Sequence, residues 1–170
     1  MKGSQIRERL LSGQRVYGTL LVSDSPFWPT VVDKIPGLDF VFIDTEHITI
    51  DDARLSWMCR TYDTMGLAPV VRIPDQDPTR ATKVLDMGAR GIIAPYVENT
   101  DQVMKLAGAV KYRPLKGRKL ERLLSGDSKA VSDAARAFLP EFNRDNMLII
   151  NIESQPAIDN LDDLLAVQGL

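Results

Sequence analysis

Short runs of apolar, often β-branched residues recur along the chain, and polar segments separate them. The runs are VYGTLLV at 16–22, FVFID at 40–44, APVVRI at 68–73, GIIAP at 91–95 and MLIINIE at 147–153. Their apolar character is continuous rather than alternating, which is typical of strands covered on both faces in a parallel sheet. The pattern therefore predicts five parallel strands.

The segments between these runs have the spacing of amphipathic helices. In DDARLSWMCRTYDTMG, apolar residues from Leu55 to Met65 recur at intervals of three and four, with Asp51 or Asp52 as the N-cap and Gly66 as the stop. Later helices begin with a proline or a capping residue. They are predicted over 78–89, 100–112, 128–142 and 155–169.

The order of these elements, β-α-β-α-β-α-β, predicts a parallel α/β protein. The regular pattern loosens only between Tyr112 and Ser128, where the chain is rich in Lys and Arg. The simplest interpretation of this stretch is a solvated loop, and a lid or an anion contact is the alternative.

Composition limits the possible functions. The chain has 170 residues, of which 44% are hydrophobic and 26% are charged, as expected for a single soluble domain over 1–170. A net charge of -2 predicts neither a nucleic-acid partner nor a membrane surface. Without a secretion signal or an apolar run long enough to cross a bilayer, the protein is predicted to be cytoplasmic.

Cys59 is the only cysteine, and we interpret it as a core thiol, with a nucleophile as the alternative.

Ionisable residues stand at the ends of two adjacent predicted strands. Asp44, Glu46 and His47, the only histidine, follow FVFI, and Arg72 follows two valines in the next run. Ligand sites in parallel α/β folds gather at the carboxyl ends of the strands, because the βα loops converge there. The pattern therefore predicts a site at this edge of the sheet.

The last predicted strand adds Asn151 and Glu153 to the same edge. Each residue alone has a simpler explanation: His47 could be an ordinary satisfied histidine, Asp44 a helix cap, and Arg72 a structural partner of an acid. Burying several such groups at equivalent strand ends is costly unless they meet one another or a ligand, so the set favours a functional site.

The residues around these strand ends match a known family in order and type. The runs GTLLVSDSPFWPTVVDKIPGLDFVFIDTEH, PVVRIP, LDMGARGIIAPYVENTDQ, KYRP and NIESQPAIDNLDDLLAVQG cover nearly the whole chain. Together they resemble the HpcH/HpaI aldolases, which are metal-dependent pyruvate aldolases. The resemblance implies a (β/α)8 barrel of TIM type, a homo-oligomer of paired trimers, and a divalent Mg, Mn or Co ion.

The resemblance also implies roles for residues that bind the metal and the substrate. Glu153 would be a metal ligand, and Glu46 would orient metal-bound water. Arg72 would hold the keto oxygen of pyruvate, and Asn151, where the family commonly has glutamine, would contact the substrate.

The reaction implied is cleavage of a 4-hydroxy-2-oxo acid into pyruvate and an aldehyde. His47, supported by Asp44, would be the acid/base partner for the C4 hydroxyl. Negative charge develops on the keto oxygen when the C3–C4 bond breaks, and a cation together with Arg72 would stabilise it. No lysine stands out at the strand ends, which argues against a Schiff base.

Two departures from the family accompany the resemblance. GRKLER stands where the family usually has a Gly-x-Arg-Gly turn. A closed (β/α)8 barrel needs about 250 residues, with a lower range near 200. We therefore expect a barrel truncated after about five strands, with the second metal ligand of the family beyond Leu170, so that the chain is a fragment or is completed by a partner chain.

Two alternatives to an active aldolase follow. The chain could be a catalytically silent homologue that serves in assembly or binding. It could also belong to a CoA-ester lyase of the citrate-lyase type, although DTEH favours the pyruvate branch.

Overall fold

The computed structural model describes the chain from Met1 to Leu170 and contains one sheet of five parallel strands. The strands follow one another in chain order across the sheet, as in a (β/α)8 barrel. Their bounds are β1 (Gly18–Leu21), β2 (Phe40–Asp44), β3 (Ala68–Arg72), β4 (Gly91–Ala94) and β5 (Met147–Ile150). All five predicted strands are present.

Nine α-helices accompany the strands, and a 3-10 turn lies at Ser128–Ala130. The helices are α1 (Gly3–Leu11), α2 (Trp28–Val32), α3 (Asp52–Thr64), α4 (Pro78–Asp86), α5 (Thr100–Lys111), α6 (Gly117–Leu124), α7 (Asp133–Phe142), α8 (Gln155–Asp159) and α9 (Leu161–Leu165). The predicted cap Asp51 is in place at α3, where its side chain accepts a hydrogen bond from Arg54 N. The expected cap of α5 is Thr100 or Asp101, but the N-cap is Asn99, whose side chain accepts from Gln102 N. No helix is long and apolar enough to cross a membrane.

The two faces of the sheet have different surroundings. Twenty-seven buried residues form the main core on the helix-covered face, including Val41, Ile43 and Ile92. A separate cluster of five buried residues occupies the other face. On the edge strands β1 and β5, Leu20 and Ile149 remain 52% and 41% exposed. The expectation of strands covered on both faces is therefore met in the centre of the sheet but not at its edges.

Helix α1 covers the amino-terminal ends of the strands, and the sequence pattern did not predict it. Ile6 is buried in the smaller cluster, and Ser4 Oγ donates a hydrogen bond of 2.5 Å to Asp145. Gly3 permits this approach, because a Cβ there would lie 2.1 Å from the carbonyl oxygen of Asp145. An apolar cavity of about 280 Å³ lies beside α1, lined in part by Phe40 and Met147. It is at the opposite end of the strands from the predicted site.

The predicted loop between Tyr112 and Ser128 is wrong, because it contains α6. Leu120 and Leu124 pack against Gly108 of α5, where a Cβ would lie 2.9 Å from Leu124 Cδ1. Leucines at helical spacing therefore outweigh the basic composition of this stretch. The predicted helix over 155–169 is two short helices that meet at Asn160.

Cys59 lies in α3 with none of its surface exposed, which confirms the prediction of a core thiol. Burial raises the pKa of this thiol from 9.0 to about 12. The unfolded chain loses the proton first, so the stability that the neutral thiol supports is complete below pH 9.0 and is lost as the pH rises towards 12.

We therefore expect Cys59 to resist alkylation while the protein is folded. At about pH 8, iodoacetamide should react with the native chain at least ~100-fold more slowly than with the chain in denaturant. Mass spectrometry measures both rates without ambiguity, because the chain has one cysteine. Native and denatured rates within about threefold of each other would show that the thiol is accessible.

Candidate active site

The alignment of β2 and β3 brings together the two central residues of the site. Asp44 and Arg72 are direct partners in the register of these parallel strands. Arg72 donates to both carboxylate oxygens, from Nε to Oδ1 at 3.0 Å and from Nη2 to Oδ2 at 2.6 Å. The side chain of Arg72 is only 15% exposed, and that of Asp44 is 4% exposed. This two-point contact holds the guanidinium plane in one orientation.

The ion pair shifts both pKa values in the direction that keeps the pair charged. Burial alone would raise the pKa of Asp44, but hydrogen bonds from Arg72 and from the backbone N–H groups of Glu46 and His47 outweigh it, and the pKa is lowered. The hydrogen bond with Asp44 raises the pKa of Arg72, although burial opposes this effect. Both groups are therefore ionised at neutral pH.

Asp44 also shapes the turn that follows β2. Its Oδ1 accepts from the backbone N of Glu46 at 3.0 Å and from that of His47 at 3.4 Å. Thr45 anchors the same turn to β3, because its Oγ1 donates to the carbonyl oxygen of Arg72 at 2.6 Å. The turn brings the Glu46 carboxylate to within 3.0 Å of Arg72 Nε.

The Glu46 side chain lies beside Arg72 with only 10% of its surface exposed, and its oxygen Oε2 is buried without a hydrogen bond. Its Oε2 lies 3.0 Å from Arg72 Nε, yet the geometry is not that of a hydrogen bond, because the Nε hydrogen is directed at Asp44. The same oxygen is 3.7 Å from Nε2 of His47, whose side chain is 64% exposed. A buried carboxylate oxygen without a donor is costly unless a cation, water or substrate proton meets it.

Glu153 reaches the site from the loop after β5. Its Oε2 accepts a hydrogen bond of 3.0 Å from the backbone N of Tyr96, which follows β4. Its charge is also among those that raise the pKa of Arg72, after the larger effect of Asp44. Asn151 is tied to β4 through its backbone N, which donates to the carbonyl of Ala94 at 2.9 Å, and its side-chain amide makes no hydrogen bond within the chain.

The residues at this edge suit a divalent cation in charge and donor type. Three carboxylates, those of Asp44, Glu46 and Glu153, face one guanidinium, and Glu46 Oε2 lacks a donor. They do not form a closed ligand set, because no three His, Cys, Asp or Glu side chains are grouped closely enough to hold a metal ion. Mg²⁺ is often held by one or two carboxylates, with water and substrate completing the shell, so Glu153 fits as a partial ligand.

The structure brings Asp44, Glu46, His47 and Arg72 into contact through β2 and β3. The support that Asp44 gives to His47 is through the backbone, whereas the carboxylate nearest to the imidazole belongs to Glu46. The backbone N–H of Tyr96 is a site group that the sequence did not indicate, because no side-chain pattern marks a backbone donor. The roles of all these residues remain predictions.

Comparison with known proteins supports the resemblance. The chain is 30% identical over 171 residues to 2-keto-3-deoxy-L-rhamnonate aldolase of Shigella sonnei, a match that covers 96% of this chain and 60% of the relative. It is also 30% identical to 2-dehydro-3,6-dideoxy-6-sulfogluconate aldolase of Pseudomonas putida over 139 residues, covering 79% of this chain and 51% of that enzyme. The chain thus spans about half to 60% of the length of these relatives.

Solved structures show the same fold. Citrate synthase SbnG superposes with a TM-score of 0.76 and 30% sequence identity, over 97% of this chain and 62% of that one. An HpcH/HpaI aldolase from Desulfitobacterium hafniense DCB-2 gives a TM-score of 0.76 at 24% identity, over 97% of this chain and 63% of the other. The predicted fold class, a (β/α)8-type chain of about five strands, is confirmed. Because the sequence model of the HpcH/HpaI aldolase/citrate lyase family matches residues 29–170, the chain belongs to that family.

Proposed function

We propose that the chain carries the 2-oxo-acid side of the active site of a metal-dependent pyruvate aldolase. The reaction would split a 4-hydroxy-2-oxo acid into pyruvate and an aldehyde, or join the two in reverse. One observation carries the proposal. Asp44 holds Arg72 through two hydrogen bonds, and the remaining N–H groups of the Arg72 guanidinium have no partner and lie beside the unpaired Oε2 of Glu46. The aldolase names of the relatives support it.

Arg72 would bind the oxygens of the 2-oxo acid. Asp44 occupies Nε and one hydrogen of Nη2, which leaves both hydrogens of Nη1 and the second of Nη2 for a ligand. Fixed N–H donors of this kind stabilise an enolate because they need no reorganisation as the charge develops. The unpaired amide of Asn151 would add a further polar contact to the substrate.

His47 would move the proton of the C4 hydroxyl. Its imidazole is exposed, and Glu46 lies near Nε2, so Glu46 would orient the ring or a bridging water. As that proton leaves, the C3–C4 bond breaks, C4 becomes the aldehyde carbon, and the bonding electrons form the enolate of pyruvate. Protonation of the enolate at C3 completes the products.

Glu153 is the residue that would hold the divalent cation. Such an ion, Mg, Mn or Co, supplies Lewis-acid stabilisation of negative charge on the keto oxygen when it is bound. The backbone N of Tyr96 donates to Oε2 of Glu153 at 3.0 Å and would orient this carboxylate. We further propose a homo-oligomer of trimers or hexamers in the cytoplasm, which sizing and localisation experiments would test.

The first prediction concerns the metal. Purified chain given pyruvate, an aldehyde and Mg, Mn or Co should form the hydroxy-oxo acid, and EDTA should abolish product formation. Chromatography of the product measures the outcome, and adding the metal back should restore it. Product formation that survives EDTA but is lost on trapping with borohydride would indicate a Schiff base and overturn the proposal.

The second prediction concerns Arg72. Arg72→Lys should lower kcat/KM for aldol cleavage about 100-fold, because an ammonium cannot keep two bonds to Asp44 and also present free N–H donors to the substrate. Coupling pyruvate release to lactate dehydrogenase measures the rate.

Arg90→Lys is the matched control for that experiment. Arg90 makes the same two-point contact with Asp63, at 2.8 Å from both Nε and Nη2, but it precedes β4 at the other end of the strand. Its kcat/KM should stay within about twofold of wild type. Equal losses in both variants would mean that Arg72 serves stability alone.

A catalytically silent homologue is the second candidate, favoured by the absence of a closed three-residue ligand set. A chain of intact 18.9 kDa mass that binds no Mn²⁺ and forms no product would support it. The alternative of a CoA-ester lyase of the citrate-lyase type is supported by the description of the family, which includes citrate lyase. Turnover of a CoA ester in place of pyruvate and aldehyde would favour that alternative.

A further inference from the structure

Tyr96 has an unusual backbone conformation next to the site. It is the only non-glycine residue with a positive φ, at 50°. Left-handed backbone conformations are strained in residues with a Cβ, and they persist where surrounding contacts impose them. Tyr96 lies in the loop from β4 to α5, and its backbone N contacts Glu153.

Gln76 supplies the contacts that hold this conformation. Its Nε2 donates to the carbonyl oxygen of Pro95 at 2.7 Å and to that of Tyr96 at 3.1 Å. Gln76 lies in the loop from β3 to α4, directly before Asp77, which caps α4 by accepting from Thr79 N and Arg80 N. One amide from a capped loop therefore binds two successive carbonyl groups of the neighbouring loop.

The planarity of the peptide bond transmits this contact to Glu153. The carbonyl of Pro95 and the N–H of Tyr96 belong to the same rigid peptide group and point in opposite directions. Because Gln76 holds the carbonyl, it fixes the direction of the N–H, which donates to Glu153 Oε2 at 3.0 Å. Two hydrogen bonds therefore connect Gln76 in the loop after β3 with Glu153 after β5, and both are made to the peptide group of Tyr96 in the loop after β4.

We infer that Gln76 is a positioning residue for Glu153, acting through the Pro95–Tyr96 peptide group. The inference rests on the proposed role of Glu153 as the cation ligand. Loss of a group that orients a metal ligand without touching the metal commonly lowers metal affinity or activity by about 10- to 100-fold. Gln76 would act in this way without touching metal or substrate.

Gln76→Met tests the inference, because methionine keeps the length of the side chain and removes the donor. The backbone amide of Tyr96 should exchange its hydrogen at least ~10-fold faster in the variant, as measured by NMR without any metal. Mn²⁺ affinity, measured from the electron paramagnetic resonance signal of free Mn²⁺, should fall about tenfold in Gln76→Met. The melting temperature of the variant should stay close to that of wild type.

Asn160→Ala is the matched control. The Asn160 side chain donates to the carbonyl of Glu98 at 3.1 Å, so its loss removes a hydrogen bond to the same loop without touching the Pro95–Tyr96 peptide. Tyr96 exchange and Mn²⁺ affinity should both remain as in wild type.

The outcomes separate this inference from the proposed function. Unchanged Tyr96 exchange in Gln76→Met overturns the inference, and so does faster exchange with unchanged Mn²⁺ affinity. Equal effects in Asn160→Ala would assign Gln76 to general loop stability and also overturn it. If wild type binds no Mn²⁺, the proposed role of Glu153 fails, and the inference fails with it even if the exchange data show that Gln76 fixes the peptide.

Discussion

The contact between Asp44 and Arg72 is the interaction on which the site depends. Parallel pairing of β2 and β3 places the two residues side by side at the last position of each strand. Each charge is nearly buried, so removing either one would leave the other without a partner at a high cost. Such a pair is weak evidence for stability, since apolar residues can replace it, but it holds a guanidinium in a fixed orientation.

The rest of the polar edge is built outward from this pair. Asp44 accepts the N–H groups of the following turn, which places Glu46 beside Arg72 and the His47 imidazole near Glu46. The loops after β4 and β5 then bring Glu153 to the same edge through the N–H of Tyr96. The apolar packing lies behind the site, because Val41, Ile43 and Val71 are completely buried on the helix-covered face. A rigid sheet thus presents charged groups that have few other partners.

The sequence predicted the parts of this arrangement that depend on apolar pattern. The strands at 40–44 and 68–72 agree with the predicted runs almost residue for residue, since buried parallel strands need continuous apolar character. The convergence of the loops at the carboxyl ends of parallel strands also predicts that Asp44, Glu46, His47 and Arg72 share one edge of the sheet. Their family resemblance then pointed to a pyruvate aldolase.

Features set by the backbone and by long-range packing were beyond the sequence. Helix α6 forms in a basic stretch because Leu120 and Leu124 pack against Gly108 on α5, a contact that composition does not reveal. The left-handed conformation of Tyr96 and the hydrogen bonds of Gln76 to two carbonyl oxygens depend on how separate loops meet in space, which the sequence does not show. The carboxylate nearest to the His47 imidazole is that of Glu46, because Asp44 is already occupied by Arg72 and the turn N–H groups.

The most direct test of the account compares the unfolding free energy of wild type and Asp44→Asn by urea denaturation from about pH 8 down to about pH 3. The folded pKa of Asp44 lies below its ordinary 3.8, so the stability from the ion pair is present above that value and is lost as the pH falls through the folded pKa. We expect Asp44→Asn to be less stable by about 3 kcal/mol near neutral pH, and this gap to narrow as the pH falls below 3.8. Equal stabilities at neutral pH, or a gap that does not change with pH, would contradict the central place given to this ion pair.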